Sequence, residues 1–347
     1  MLVLKGIGRI QQVRINGEYS ESVDVMFGAP QGSVLGPEMF SVYVRNQPKV
    51  FEKCHFNSSA FADDSNGRKS FAISLQYDVL KNDVPRCLKE IQKWMNYQFL
   101  KINPDKTEIL LLVPKSLEKD VLIKGTIIGE NQCIRFSKAV KNVGVWLDQN
   151  LDLNHHINKI VAHCYKILKD IGSIRSVLTQ KDTEMLVHAV TSSRMDYCNS
   201  LFFNMSKENI NKLQKVQNAA ARLVVRKRKR ESISNTIRHL HWLRIESRII
   251  FKILLLVYKS IQGTSPKSIQ LEFKPHNCRP EDFLKLKTCF RKTTYGRRTF
   301  AYNAPRLWNA LPLHIRTEES LDAFKKAVKT LLFQDTDAFK TKAFMYH

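Results

Sequence analysis

The chain has 347 residues, 43% of them hydrophobic and 25% charged, a balance that sustains a buried core and excludes disorder throughout. Its 13 glycines and 11 prolines are too few for a collagen-like or low-complexity polymer. Lys and Arg number 56 against 32 Asp and Glu, a formal net charge of +24. That excess calls for a polyanionic partner, nucleic acid first, with a merely soluble basic protein as the alternative.

The charge is unevenly spread. Residues 1–150 carry 20 basic and 16 acidic side chains, net +4, whereas 151–347 carry 36 and 16, net +20. The longest apolar runs, such as Ile109–Val113 and Ile253–Tyr258, fall far short of the roughly 18 residues that cross a bilayer, so no membrane partner is expected. The opening MLVLKGIGRIQQ lacks the apolar segment and cleavage site of a signal peptide. Seven scattered cysteines with no Cys-x-x-Cys pair suit reduced thiols, hence the nucleus or cytoplasm.

In chain order, Val13 and Ile15 alternate with Arg14 before Asn16-Gly17, and a second extended run ends at Val23-Asp24-Val25. Asn-Gly predicts a hairpin, because a type I′ turn needs positive φ at both central residues. Gly28–Pro37 predicts a loop feeding a helix. The run His55–Ala62 reaches Asp63-Asp64 and turns through Ser65-Asn66-Gly67 before Phe71-Ala72-Ile73, which predicts a second hairpin with two carboxylates at its tip. Val84, Leu88, Ile91, Met95 and Phe99 predict an amphipathic helix over 83–99, ended by Asn103-Pro104. Glu108–Val113 and Val143–Leu147 read as strands.

From Asn154 the pattern turns helical. Ile157, Ile160, Tyr165, Leu168 and Ile171 fall near one helical stripe, and Ile210, Leu213, Val216, Ala220 and Leu223 near another. Residues 211–260 hold thirteen basic and two acidic side chains, including Arg226-Lys227-Arg228-Lys229-Arg230. Turn residues at Gly263–Pro266 and Pro275–Pro280 mark a boundary before a last segment.

Asp63 and Asp64 admit two readings, a polar turn or ligands of a metal centre. Successive strand side chains point to opposite faces. A two-metal site, with cations ~3.5–4 Å apart, therefore needs a further carboxylate from another strand. His155, His156, His163 and Cys164 share one predicted helix, and His276, Cys278 and Cys289 follow later; neither set has four ligands at finger spacing, so zinc is not expected. The run Arg226–Arg230 reads as an import signal, a nucleic-acid contact or a solvated helix end. Trp242 and Trp308 lie beside leucines, which favours core packing over base stacking.

Four blocks in order, Gly28–Pro37, Phe61–Asp64, Leu100–Glu108 (preceded by Trp94) and Asn142–Asp148, resemble the palm of reverse transcriptases from non-LTR, LINE-type retrotransposons, the jockey-like group most closely. The likeness continues through Gln214–Arg222, His239–Leu243, Tyr258-Lys259 and Ala304–Pro312, and so covers nearly the whole chain. It implies that Pro30, Gln31, Gly32 and Ser33 lie against template and nucleotide, and that Ala62 sits beside the primer end. By the same resemblance Asp63 and Asp64 ligate Mg²⁺, Lys106 protonates pyrophosphate, and Val143, Gly144 and Val145 form a primer grip. Arg222, Arg226, Lys227, Arg228, Lys229 and Arg230 would follow the backbone of an RNA–DNA duplex.

The family's first palm motif, a strand bearing a metal-binding aspartate, has no match in the 27 residues before Gly28, whose acids are Glu18, Glu21 and Asp24. The fingers have no counterpart either. The expected fold is α+β, truncated at its N-terminus: an incomplete polymerase palm (antiparallel sheet with packed helices) over 1–150, a helical basic thumb over 151–265, and a C-terminal segment of a retrotransposon protein over 266–347. The implied function is RNA-directed DNA polymerisation, a nucleotidyltransferase reaction on RNA template, DNA primer and dNTP with two Mg²⁺ ions. The incomplete carboxylate set implies weak metal binding and little activity. The alternative is a non-enzymatic nucleic-acid-binding remnant or interaction module.

Overall fold

The structure, a computed structural model, describes residues 10–24, 34–114, 117, 127–129, 132–134, 136–274 and 284–344. The chain divides into two units, Met1–Ser137 and Lys138–His347. The division falls ahead of the expected boundary at 150, and everything after it is one unit rather than two.

The first unit opens with β1 (Ile10–Gln11), β2 (Arg14–Ile15), β3 (Glu18–Tyr19) and β4 (Val23–Asp24). β2 pairs with β3 and β1 with β4, both antiparallel. Asn16 (φ 52°) and Gly17 (φ 96°) supply the two positive angles that the Asn-Gly signal predicts. Helix α1 (Gly36–Val44) follows with Pro37 in its first turn, where no backbone N–H is needed. Next come α2 (Gln47–Lys53), β5 (Asn57–Phe61) and β6 (Asp64–Arg68).

The second hairpin turns earlier than the sequence predicts. β5 and β6 pair from Asn57↔Arg68 to Phe61↔Asp64, so the turn is Ala62-Asp63, and Ser65, Asn66 and Gly67 are strand residues. Packing on α2 overrides the turn propensity of Asn-Gly here. Gly67 lies against the Phe51 ring, where a Cβ would stand 2.6 Å from Cε1, and the Ser65 hydroxyl donates to Gln47 Oε1 at 2.8 Å. Register then follows from the buried partner. Phe71–Ile73 makes no strand; a 3₁₀ turn begins at Ile73.

Helix α3 (Val84–Tyr97) buries Cys87 and Ile91 against Phe51 and Cys54. It ends in a Schellman arrangement, with Leu100 N–H donating to the Met95 carbonyl and Phe99 N–H to that of Asn96. Phe99 occupies the left-handed position (φ 54°) and is exposed, off the stripe it was expected to extend. Glu108–Val113 contributes one isolated bridge, Ile109↔Phe136, in place of the expected strand. β7 (Ile127–Gly129) and β8 (Gln132–Ile134) form a further antiparallel pair.

The second unit begins with β9 (Ala139–Asn142) and β10 (Val145–Asp148), paired antiparallel. Its longer helices are α4 (Asn154–Ser173), α5 (Gln180–Leu186), α6 (Lys207–Val225), α7 (Ile245–Ile261), α8 (Phe300–Ala310), α9 (Leu321–Gln334) and α10 (Thr336–Phe344). α4 and α6 run side by side in the same direction, since Asn209 meets Asn154 at one end and Leu223 lies beside Gly172 at the other. α7 is the central helix, burying Ile249, Ile250, Ile253, Leu254 and Val257. Trp308 is fully buried and donates from Nε1 to the Leu284 carbonyl at 2.8 Å. Trp242 is buried too, its Nε1 donating to Glu184 Oε1 at 2.9 Å. Both tryptophans are therefore core residues, as their leucine neighbours suggest. The chain is thus mixed helix and strand, and among the described residues the strands make separate two-stranded ribbons rather than one sheet.

Candidate functional site

The paired aspartates stand where β5 turns into β6. Asp63 is in the two-residue turn and Asp64 is the first residue of β6, opposite Phe61; both are exposed. Ala62 holds φ 51°, a left-handed conformation that costs a residue with a Cβ about 1–2 kcal/mol. Strain of this kind at a hairpin tip fixes how the next two side chains project.

Lys106 closes a 3₁₀ turn, Pro104–Lys106, whose shape comes from Asn103: its Oδ1 accepts from the Asp105 N–H at 3.0 Å and its carbonyl from the Thr107 hydroxyl at 2.8 Å. Among the described residues no hydrogen bond or ion pair links Lys106 to either aspartate. Pro30, Gln31, Gly32 and Ser33 lie outside the described residues, as do His276 and Cys278.

Two-metal chemistry needs cations caged by carboxylates from more than one strand. Among the described residues no group of three His, Cys, Asp or Glu side chains gathers in a way that could hold a metal ion. Asp63 and Asp64 alone do not fit such a centre, because Mg²⁺ dehydrates reluctantly and demands near-octahedral oxygen ligands.

Val143, Gly144 and Val145 belong to the second unit, at the tip of the β9–β10 hairpin. Val143 (φ 44°) and Gly144 (φ 81°) are both left-handed, the two angles of a type I′ turn. Only Val145 of the three is buried. Sequence reasoning missed Tyr197, whose hydroxyl donates to the Val143 carbonyl at 2.7 Å. A Cβ at Gly144 would lie 3.3 Å from the Tyr197 ring. No local sequence signal marks Tyr197, since it acts across 54 residues.

Behind this hairpin, burial and the neighbouring Asp152 carboxyl raise the Asp148 pKa above its ordinary value. Asp148 Oδ1 accepts from the Asp152 N–H at 2.9 Å, while Oδ2 is buried without a partner. His156 is buried under β10, where burial pushes its pKa down; its Nδ1 faces the Trp146 N–H at 3.5 Å.

The basic run begins where α6 ends. Arg226 is the left-handed cap (φ 55°), and its guanidinium reaches back to the carbonyls of Arg175 and Ser176. Arg222 donates to the Glu231 carbonyl at 3.2 Å, and the Arg228 N–H donates to Glu231 Oε1 at 2.7 Å. Glu231 thereby folds the run into a turn that leaves Arg226, Lys227, Arg228, Lys229 and Arg230 exposed.

Residues 2–147 match the family model described as reverse transcriptase (RNA-dependent DNA polymerase). The four blocks read from the sequence fall within that match, the last ending one residue beyond it. The chain is also similar to three Drosophila melanogaster proteins. It is 27% identical over 233 residues to the probable RNA-directed DNA polymerase from transposon BS, covering 61% of this chain and 24% of that protein. With the probable RNA-directed DNA polymerase from transposon X-element it shares 24% identity over 227 residues, 62% of this chain and 24% of the relative. With the RNA-directed DNA polymerase from mobile element jockey it shares 25% over 158 residues, 44% and 16% of the two chains. Residues 2–147 are therefore reverse-transcriptase-like, and the chain is similar to the enzymes of jockey-like non-LTR elements. It spans a quarter or less of the length of these relatives. The two wider alignments cover more of the chain than residues 2–147 can supply, so the likeness reaches into the helices. No solved structure matches.

Proposed function

We propose that the chain is the palm-to-thumb portion of an RNA-directed DNA polymerase, and that the 347-residue polypeptide holds an RNA template paired with a DNA primer without extending it. The observation that carries this reading is the Ala62-Asp63-Asp64 tip on a strained hairpin, in a chain whose second part carries net charge +20. The exposed cations from Arg226 to Arg230 contact the phosphate backbone, and the Val143-Gly144 tip positions the primer. By resemblance to the family, Lys106 protonates pyrophosphate, and Pro30, Gln31, Gly32 and Ser33 lie against template and nucleotide. Among the described residues only Asp63 and Asp64 stand at this tip, too few for the metal pair, which is why binding without synthesis is expected.

Primer extension on poly(rA)/oligo(dT) with Mg²⁺ or Mn²⁺, run beside a binding assay on the same duplex, tests both halves. Salt-dependent binding with no extension is the expected result. Processive DNA synthesis overturns the two-carboxylate limit, and absence of binding overturns the proposal as a whole. Replacing Arg226–Arg230 with alanine should flatten the slope of log affinity against log salt.

A further inference from the structure

A groove of about 850 Å³ runs along α6 in the second unit, walled on one side by Tyr165 of α4. Its floor is apolar, formed by Ala219 and Leu223, and its cations include Lys215, Arg222 and Lys229, with no carboxylate among the lining residues. Tyr165 lies off the buried stripe that Cys164 and Leu168 form on α4, one position round the helix from Cys164, and is 41% exposed. An aromatic ring held at the surface beside an apolar floor gives a flat π-face somewhere to stack.

The cations here divide by role. Because α4 and α6 are parallel, both carboxyl-terminal ends lie together and their dipoles place partial negative charge at one spot. Arg175 answers it, its guanidinium donating to the carbonyls of Leu223, Val224 and Leu178 at 2.7–2.8 Å. Arg226 answers the α4 side. Arg175 is spent on the fold, and Arg226 gives it one nitrogen of its guanidinium. Lys215 and Lys229 are exposed, and among the described residues no hydrogen bond or ion pair holds them. Lys215 and Arg222, seven residues apart on one helix face, stand roughly 10 Å apart at 1.5 Å per residue.

We infer that this groove binds a single, unpaired nucleic-acid strand, with a base stacked on Tyr165 over Ala219 and Leu223 and the phosphates on Lys215, Arg222 and Lys229. A duplex keeps its bases stacked inside and offers phosphates alone, so it leaves the apolar floor and the aromatic wall unused. An unpaired strand uses both. The inference rests on the nucleic-acid reading of this unit; it shares Arg222 and Lys229 with the duplex reading and adds the aromatic wall and apolar floor, which an unpaired strand uses and a duplex does not.

Fluorescence anisotropy of the full chain with labelled oligo(dT), oligo(rU) and an RNA–DNA duplex of equal length tests it. Tyr165→Ala should weaken either single strand roughly tenfold, the size of one base–aromatic stack, and leave the duplex unchanged, while Tyr165→Phe restores single-strand affinity. Lys215→Gln and Lys229→Gln should each lower the single-strand salt slope by about 0.7. Single-strand binding indifferent to Tyr165→Ala, or falling in step with duplex binding, overturns the groove and leaves the duplex reading standing. A wild-type chain that binds none of the probes overturns both.

Discussion

The two units bury their side chains very differently. In the second, one continuous core runs from Val145 to Ala343 and includes the apolar faces of α7 and α8. In the first, the core cluster is Phe51, Cys54, Cys87 and Ile91, and Ile10, Val13, Ile15, Tyr19, Val23 and Phe61 are all exposed. The helical unit satisfies itself: α7 buries a broad apolar face from Ile245 to Tyr258 and has helices to cover it. The strand-bearing unit has two-stranded ribbons that pair with no third strand among the described residues, a condition that leaves edge backbone donors open to pairing. Stability in this chain therefore resides after Ser137, while the residues that carry its reverse-transcriptase signature stand mostly before it.

Each unit holds a buried thiol that reports on this contrast. Burial, with Cys54 beside it, pushes the Cys87 pKa up to about 12 in the first unit, and burial pushes Cys164 up to about 11 in the second. Both are unreactive until their surroundings open. The largest expected effect is at Trp308, where Trp308→Ala should cost about 3–5 kcal/mol in denaturant unfolding, while Phe61→Ala at the exposed tip should stay within about 0.5 kcal/mol. Equal losses would dissolve the comparison.

Gly67→Ala comes next, at about 1–3 kcal/mol, because the new methyl meets the Phe51 ring. Thiol labelling should speed up at Cys54 and Cys87 and stay unchanged at Cys164. Acceleration at Cys164 would mean that the units do not open separately.

A smaller effect is expected at Asp148. Its raised pKa means that the folded chain binds the proton more tightly than the unfolded one, so this carboxyl's contribution falls as pH rises from the ordinary 3.8 through the folded value. Asp148→Asn keeps an acceptor for the Asp152 N–H. It should raise the unfolding midpoint at neutral pH and give no gain in acid below 3.8; a gain equal at both would refute burial of the charge as its cause. Smallest is Val143→Asn, which relieves a β-branched residue at φ 44° and should stabilise the hairpin by roughly 0.5–1 kcal/mol in the same unfolding assay. Loss of stability there would mean that the Val143 side chain matters more than its strain.

Much of the site was legible in advance because its signals are local. Asn16-Gly17 marked a turn, and the spacing of Ile157, Leu168 and Ile171 marked a buried helix face. The pair Asp63-Asp64 marked a hairpin tip. The second Asn-Gly misled, since Asn66-Gly67 has the same turn chemistry as Asn16-Gly17 but lies against Phe51. Tyr197 and Arg175 were invisible because each acts on carbonyls about fifty residues away. Arg226 read as a free cation, yet its guanidinium is engaged at the end of α4.

From the residues alone follow the charge split, the helical character after Asn154 and the reverse-transcriptase-like blocks in their order, since composition, period and motif are properties of neighbours along the chain. Where the second hairpin turns, which arginines serve the fold and why Tyr165 faces outward were decided by tertiary packing. Register, capping and exposure depend on which distant surface arrives to compete for the same atoms.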